Sequence, residues 1–232
     1  MNHPMEAAKL DLPHQVAGQN HRHESAHLHV TGTAPYTDDV PELAGTLHCV
    51  LGLSPVAHGR ILKIDVAGLR ALPGVYAVLT GDDVPGDNIT GAILHDEPIL
   101  PLDEVNYVGQ PVFAVLSTDR EAARRAAARA KEFLQIEPLP ALLTPQAAHA
   151  AQSYVVPPMH MHRGDAAEAM AQAPHRWQGH FDLGGQEQFY LETQISYAVP
   201  KENNGMYVLC STQHPTEMQH TVAHALGVSA HQ

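Results

Sequence analysis

Residues 183–193 read Leu-Gly-Gly-Gln-Glu-Gln-Phe-Tyr-Leu-Glu-Thr, and here a glycine pair and polar side chains lead directly into an apolar, strand-like segment. Glycine has no Cβ atom, so Gly184 and Gly185 let the backbone come close to a bound group. The amide of Gln186 can donate and accept hydrogen bonds beside them. The stretch predicts a ligand approach site, with a turn that opens a strand as the alternative.

The composition is typical of a soluble globular protein with room for two domains. The 232 residues are 44% hydrophobic and 16% charged, and no apolar run reaches the roughly 18 residues that span a bilayer. Lys and Arg number 13 against 25 Asp and Glu, which gives a formal net charge of −12. This charge disfavours nucleic acid and anionic membrane surfaces as partners.

The cysteine content favours a reducing cytoplasm. Cys49 and Cys210 are too few for a disulfide framework, and residues 1–20 lack the basic-then-apolar layout of a signal peptide. These first 20 residues have no sustained periodicity, so we expect a mobile leader.

Two histidine clusters raise the hypothesis of a metal-binding site, because imidazole is the commonest metal ligand. The first comprises His21, His23, His27 and His29, which would share one face of a strand, and the second comprises His160, His162 and Asp165. No cysteine or acidic cluster near the first group completes a typical site, and an ordinary exposed cluster is the favoured interpretation of the second. Structural or solvent-facing histidines are therefore favoured over metal binding.

The pattern of residues 21–144 alternates short strands with short helices. We expect strands at 45–54, 60–66, 75–80, 106–116 and 133–142, a helix at 67–71 and a long surface loop at 81–102. Prolines place the last strand at a sheet edge. From Thr118 and Glu121, which have capping-box spacing, alanines recur at helical intervals as far as Phe133 and predict one amphipathic helix. Its arginines favour a solvated face over a phosphate site.

The C-terminal part predicts a hairpin followed by a helix. The strands are expected at 189–199 and 206–212 around a turn at 201–205, and the helix begins near Pro215 and ends at Gly227. A hairpin with one helix is marginal alone, so we expect this domain to be incomplete. The Pro-, Ala- and His-rich residues 145–178 are predicted to be a linker.

Several motifs together resemble the front of the molybdenum-binding subunit of xanthine dehydrogenases, within the xanthine dehydrogenase and aldehyde oxidase family. They are His23-Glu24-Ser25-Ala26, Val30-Thr31-Gly32, Tyr36-Thr37-Asp38-Asp39, Leu53-Ser54-Pro55, Ala57-His58, Pro73-Gly74-Val75, Tyr107-Val108-Gly109-Gln110-Pro111-Val112, Gly184-Gly185-Gln186-Glu187-Gln188-Phe189-Tyr190-Leu191-Glu192-Thr193 and Ser211-Thr212-Gln213-His214-Pro215. The resemblance covers about residues 22–228. Residues 85–88 and 96–98 favour the bacterial xanthine dehydrogenases.

The resemblance implies an α+β fold, in which an alpha/beta hammerhead domain at 21–144 precedes a truncated molybdenum cofactor-binding domain at 179–232. It places Gln186 beside the molybdenum, with its amide donating to an oxygen ligand of the metal, and gives Gly184 and Gly185 to cofactor binding. It implies no direct metal ligand and no catalytic residue in this chain. Gln188 stands where many relatives have histidine, and Glu187 and Glu192 belong to the strand motif rather than acting as the catalytic base.

The resemblance also implies an activity in purine catabolism, the oxidation of hypoxanthine and xanthine to urate with oxygen from water. The cofactors would be a molybdenum-pterin in the complete subunit and 2Fe-2S clusters and FAD in a partner domain or subunit. Besides the purine, the partners would be the rest of the subunit and the FAD/iron–sulfur subunit, in a homo- or hetero-oligomer. The chain alone is predicted to be inactive. The alternatives are a non-catalytic interaction module with a hammerhead fold and an aldehyde or N-heterocycle hydroxylase.

Overall fold

The computed structural model describes residues 18–91, 93–190 and 193–231. Within these ranges the α-helices are α1 (Ala26–Thr31), α2 (Val66–Arg70), α3 (Arg120–Ala127), α4 (Ala130–Phe133), α5 (Pro145–Ala150), α6 (Ala166–Gln172) and α7 (Pro215–Leu226). The strands are β1 (His48–Leu53), β2 (Gly59–Ile64), β3 (Ala77–Leu79), β4 (Ile89–Thr90), β5 (Glu97–Pro98), β6 (Glu104–Val105), β7 (Pro111–Ser117), β8 (Leu134–Pro138), β9 (Ser196–Pro200) and β10 (Met206–Cys210). The leader predicted at 1–20 lies outside the described residues except for its last three.

Strand β7 is the centre of the main core. It lies between β1 and β3 in an antiparallel sheet of order β1-β7-β3. Its Val112, Phe113 and Val115 have no exposed surface, as expected for a strand of β-branched and aromatic residues covered on both faces. The alanines of α3 pack against this strand and complete the core.

A second antiparallel sheet has the order β6-β2-β8. Strand β8 is an edge strand, which confirms the prediction made from its prolines. His58, just before β2, bridges this sheet, with Nε2 2.8 Å from Glu104 Oε1 and Nδ1 2.7 Å from the Pro140 carbonyl oxygen.

The single amphipathic helix predicted from residue 118 to residue 133 is wrong in two respects. The N-cap is Asp119, whose carboxylate accepts hydrogen bonds from the amides of Glu121 and Ala122, so Thr118 and Glu121 do not form the expected capping box. The helix also breaks into α3 and α4. The Arg129 amide donates to the Ala126 carbonyl, and this tighter i−3 bond ends α3.

The surface loop predicted at 81–102 contains more structure than expected. Residues Gly81–Asp83 form a 3-10 helix, and β4 pairs with β5 in a short hairpin. The side chain of Asn88 reaches across the hairpin, donating to the Leu100 carbonyl at 2.8 Å and accepting from the Leu100 amide at 3.1 Å. Hydrogen bonds between residues 12 positions apart stabilise this segment. The Gly, Pro, Asp and Asn content of the sequence predicts turns here but does not predict these bonds.

The C-terminal hairpin and helix confirm the prediction, although both strands are shorter than expected. β9 pairs with β10, α7 begins at Pro215, and Gly227 ends it in the left-handed conformation with φ 67°. The strand predicted from residue 189 begins only at Ser196, which pairs with Cys210. Just before Ser196, the carbonyls of Ile195 and Thr193 accept from Ser211 at 3.4 and 3.3 Å, outside the regular ladder.

Residues 151–190 contribute nothing to the hydrophobic core around β7. Every residue in this stretch except Ala173 is exposed, although α6 forms within it. Large apolar side chains are among them, and Trp177 is 96% exposed and Met161 97%. No helix in the described ranges is both long and apolar enough to cross a membrane.

Candidate functional site

Gly184, Gly185 and Gln186 lie in a part of the chain that has neither a regular helix nor a regular strand, and all three are exposed. A Cβ atom added at either glycine would meet nothing within 4 Å, and neither glycine has a positive φ. Packing and backbone conformation within the described chain therefore do not require glycine here. The open space leaves both backbone positions accessible to another group.

The amide of Gln186 makes no hydrogen bond to another described residue. Its neighbour Glu187 instead folds back locally, since Glu187 Oε1 accepts from the Gln188 amide at 3.1 Å. Phe189, close behind, has φ 53°, which is uncommon for a bulky side chain. The donor and acceptor of Gln186 thus remain available, and Glu192 lies outside the described residues.

The first histidine cluster does not form the shared strand face considered from the sequence. His27 and His29 belong to helix α1, and the rings of His23 and His29 meet edge-on with centroids 6.2 Å apart. His29 also contacts the ring of Tyr36 at 6.3 Å. These ring contacts give His23 and His29 a packing role.

The other charged clusters singled out in the sequence are engaged in local contacts. Asp165 caps helix α6 by accepting from the Glu168 amide at 2.9 Å. Arg124 of α3 and Arg129, which directly precedes α4, form exposed ion pairs with Glu121 and Glu132. Among residues 18–91, 93–190 and 193–231, no group of three or more His, Cys, Asp or Glu could hold a metal ion.

Five ionisable groups have shifted pKa values with local causes, and two of these groups are Arg129 and Glu132, the members of one ion pair. The pKa of His58 is raised, first by its hydrogen bond to the Pro140 carbonyl and then by Glu104. The pKa of Asp119 is lowered by the amides of Ala122 and Glu121. Desolvation by neighbouring atoms raises the pKa of the Cys49 thiol, although the residue keeps an exposed surface.

Two cavities lie where the C-terminal hairpin and α7 meet the N-terminal part of the chain, and a third of about 500 Å³ lies between the hairpin and α7 themselves. One of about 760 Å³ is lined by residues 37–50 and 193–200, and one of about 430 Å³ by residues 89–97 and 212–224. The hydroxyl of Tyr197 accepts a hydrogen bond from the Leu43 amide at 3.0 Å beside the first. The sequence did not predict these contacts, because nothing local marks residues 154 positions apart as neighbours.

Two domain families match the chain. The aldehyde oxidase and xanthine dehydrogenase a/b hammerhead domain matches residues 31–135, and the molybdopterin cofactor-binding domain matches residues 147–232. Both families were expected from the resemblance, and the observed mixture of helices and strands agrees with them.

Curated relatives match over almost the whole chain. Xanthine dehydrogenase from Calliphora vicina is 37% identical over 212 residues, 90% of this chain and 16% of that protein. Xanthine dehydrogenase/oxidase from Mus musculus is 37% identical over 224 residues, 96% of this chain and 17% of that protein. The chain therefore spans about one sixth of the length of these relatives.

Solved structures share the fold. Aldehyde oxidoreductase from Desulfovibrio gigas aligns with a TM-score of 0.74 and 27% identity, covering 90% of this chain and 25% of that one. Quinoline 2-oxidoreductase from Pseudomonas putida 86 aligns with a TM-score of 0.72 and 27% identity, covering 90% of this chain and 28% of that one.

Proposed function

This chain belongs to the xanthine dehydrogenase and aldehyde oxidase family of molybdenum hydroxylases, and on that premise we propose that it is part of an enzyme that oxidises hypoxanthine and xanthine to urate. The oxygen would come from water. The supporting observation is the 37% identity to xanthine dehydrogenase, which extends over 90% of the chain and so includes both domains. A bacterial type rests on residues 85–88 and 96–98 alone and stays a prediction.

The residues of the Gly-Gly-Gln motif have the properties needed to contact a bound cofactor. Gly184 and Gly185 have open space where a side chain would stand, and the Gln186 amide has no described partner. We assign the two glycines to close backbone approach and Gln186 to donating a hydrogen bond to an oxygen ligand of the metal. When bound, the molybdenum-pterin would supply the Lewis acid and the electron sink.

The remaining parts of the proposed enzyme lie outside these 232 residues. The catalytic base and the residues that select the purine belong to the rest of the subunit, and 2Fe-2S clusters and FAD to a partner domain or subunit. We therefore propose an oligomeric, cytoplasmic enzyme with the hammerhead domain at 21–144, a linker at 145–178 and the cofactor domain from 179. The chain alone should be inactive.

Steady-state kinetics of the complete protein test this proposal. Produced in a host that makes the molybdenum cofactor, it should oxidise xanthine with a higher kcat/KM than benzaldehyde or quinoline. The matched control is the 232-residue chain from the same host, which should show no xanthine-dependent reduction of an electron acceptor. A complete protein that loads molybdenum but oxidises none of these compounds would instead support a non-catalytic module.

The second candidate function is an aldehyde or N-heterocycle hydroxylase. It is favoured by the structural likeness to an aldehyde oxidoreductase and a quinoline 2-oxidoreductase, at TM-scores of 0.74 and 0.72. The sequence identity to these two is 27%, below the 37% to xanthine dehydrogenase, so the purine remains the first choice. A higher kcat/KM for benzaldehyde or quinoline would reverse that order.

A further inference from the structure

The turn at residues 85–87 touches the C-terminal end of α7, although about 140 residues separate them in the sequence. The Gly86 amide donates to the Ala225 carbonyl at 2.9 Å, and the Asp87 amide donates to the His224 carbonyl at 2.9 Å. The last four carbonyls of an α-helix have no partner within the helix and carry partial negative charge. Two of them are here capped by the hammerhead domain.

Helix α7 already has a cap of its own, and the turn adds to it. The Gly227 amide donates to the His224 carbonyl at 3.1 Å, and the Val228 amide donates to the Ala223 carbonyl at 3.0 Å. Gly227 is left-handed, as is usual for a residue that ends a helix. Gly227 and Val228 cap only the His224 and Ala223 carbonyls, so Gly86 supplies the partner of the Ala225 carbonyl and Asp87 adds a second bond to His224. Both added bonds hold the helix against the other domain.

The contact leaves no room for a side chain at residue 86. A Cβ atom added to Gly86 would lie 2.0 Å from the His224 carbonyl oxygen, 2.5 Å from the Gly227 nitrogen and 2.9 Å from its Cα. All three atoms are backbone, so a rotamer change cannot relieve the clash. Gly86 does not have a positive φ, so its own conformation would accept alanine.

The turn itself is held firmly by the hammerhead domain. The Asp87 carboxylate accepts from the Ile89 amide at 2.9 Å, and the Asn88 side chain makes two bonds to the Leu100 backbone. Beyond the turn, the β4–β5 hairpin and α7 together line the cleft of about 430 Å³. The direct backbone contact is thus concentrated at Gly86 and Asp87.

We infer that residues 85–87 form an interdomain clamp, in which the amides of Gly86 and Asp87 fix the C-terminal end of α7 and the direction of the chain beyond Gly227 relative to the hammerhead domain. The clamp goes beyond the proposed function, since it needs neither the cofactor nor the substrate. Another connection between the domains, from the Leu43 amide to the Tyr197 hydroxyl, lies at the hairpin rather than at the helix.

Amide hydrogen exchange of the ¹⁵N-labelled 232-residue chain tests the clamp directly. In the wild-type chain the amides of Gly86 and Asp87 should exchange slowly, because each is bonded to α7. In Gly86→Ala, the Asp87 amide should exchange about tenfold faster or more, while those of Val112 and Val115 in the core keep their protection. Exchange of Gly86 and Asp87 at open-loop rates in the wild type would overturn the clamp, whether or not the variant folds.

The two native cysteines provide a distance between the domains, since Cys49 lies in β1 and Cys210 in β10. With nitroxide labels on both, electron–electron distance measurements should give a broader distribution for Gly86→Ala than for the wild type. Gly179→Ala is the matched control, because its Cβ would meet only the Phe181 ring, at 3.6 Å. An unchanged distribution in Gly86→Ala, or an equal broadening in Gly179→Ala, would contradict the clamp.

Discussion

The His58 imidazole lies 2.8 Å from the Glu104 carboxylate, so an ion pair connects the start of β2 to β6. The other ring nitrogen faces the Pro140 carbonyl at 2.7 Å, and a ring that donates from both nitrogens must be protonated. When protonated, His58 donates to both partners and joins three segments of one sheet.

The first prediction is that His58 makes stability depend on pH. The Pro140 carbonyl and Glu104 raise the pKa of His58 in the folded chain. The contribution of His58 to folding stability is therefore complete below its pKa in the unfolded chain, and it is lost as pH rises through its pKa in the folded chain. The difference in unfolding free energy between the wild type and His58→Gln should therefore be larger at pH 5.5 than at pH 8.5. Urea titrations at both values measure it. His175→Gln, on an exposed histidine, should show no such trend.

The second prediction concerns the start of helix α3. Asp119→Ala removes the carboxylate that accepts from the Glu121 and Ala122 amides, so it should lower the urea midpoint. The pKa of Asp119 is lower in the folded chain than in the unfolded chain. The contribution of Asp119 to folding stability is therefore present above its pKa in the unfolded chain, and it is lost as pH falls through its pKa in the folded chain. Thr118→Ala is the control and should have a much smaller effect. An equal effect of both changes would restore the capping box predicted from the sequence.

The third prediction follows from the contact between Gly52 and the fully buried ring of Phe113. A Cβ atom on Gly52 would lie 2.1 Å from the ring, so Gly52→Ala should destabilise the fold by about 1–3 kcal/mol through overpacking. Thermal or urea unfolding measures this loss. Combining Gly52→Ala with Phe113→Leu should cost less than the sum of the two single changes, and simple additivity would show that the two positions do not compete for space.

The fourth prediction tests the assignment of Gln186 in the complete enzyme. Gln186→Ala should lower kcat by about 100-fold, the size typical of one removed hydrogen-bond donor at a reacting centre. Molybdenum content measured by mass spectrometry separates a slower site from an empty one. Gln188→Ala is the neighbouring control, since Gln188 has no assigned role. Unchanged kinetics at full molybdenum content would remove Gln186 from the site.

The sequence predicts the structure best where a local signal determines it. Pro215 and Gly227 mark the two ends of α7, because one has no amide hydrogen to lose and the other accepts a left-handed conformation. The prolines of β8 likewise mark an edge strand. In each case one residue type restricts its own backbone.

Apart from the cap and the break of the helix that follows Asp119, which are local, the failures concern contacts between distant residues. The β4–β5 hairpin depends on Asn88 bonding to Leu100, and the contact of Gly86 with Ala225 spans most of the chain. No periodic pattern of apolar residues in the sequence predicts either contact. The assignment of Gln186 came from the family motif, and it stays a prediction because the described chain places no other part of a site beside it.

The exposed position of Trp177 has a spectroscopic consequence. It is the one tryptophan in the sequence and is 96% exposed, so its fluorescence should be that of a water-solvated indole even in the folded chain. Melting of the sheets would leave this emission almost unchanged, whereas covering residues 151–190 would shift it to shorter wavelength. The protein therefore contains an intrinsic optical probe that responds to the covering of this stretch rather than to unfolding.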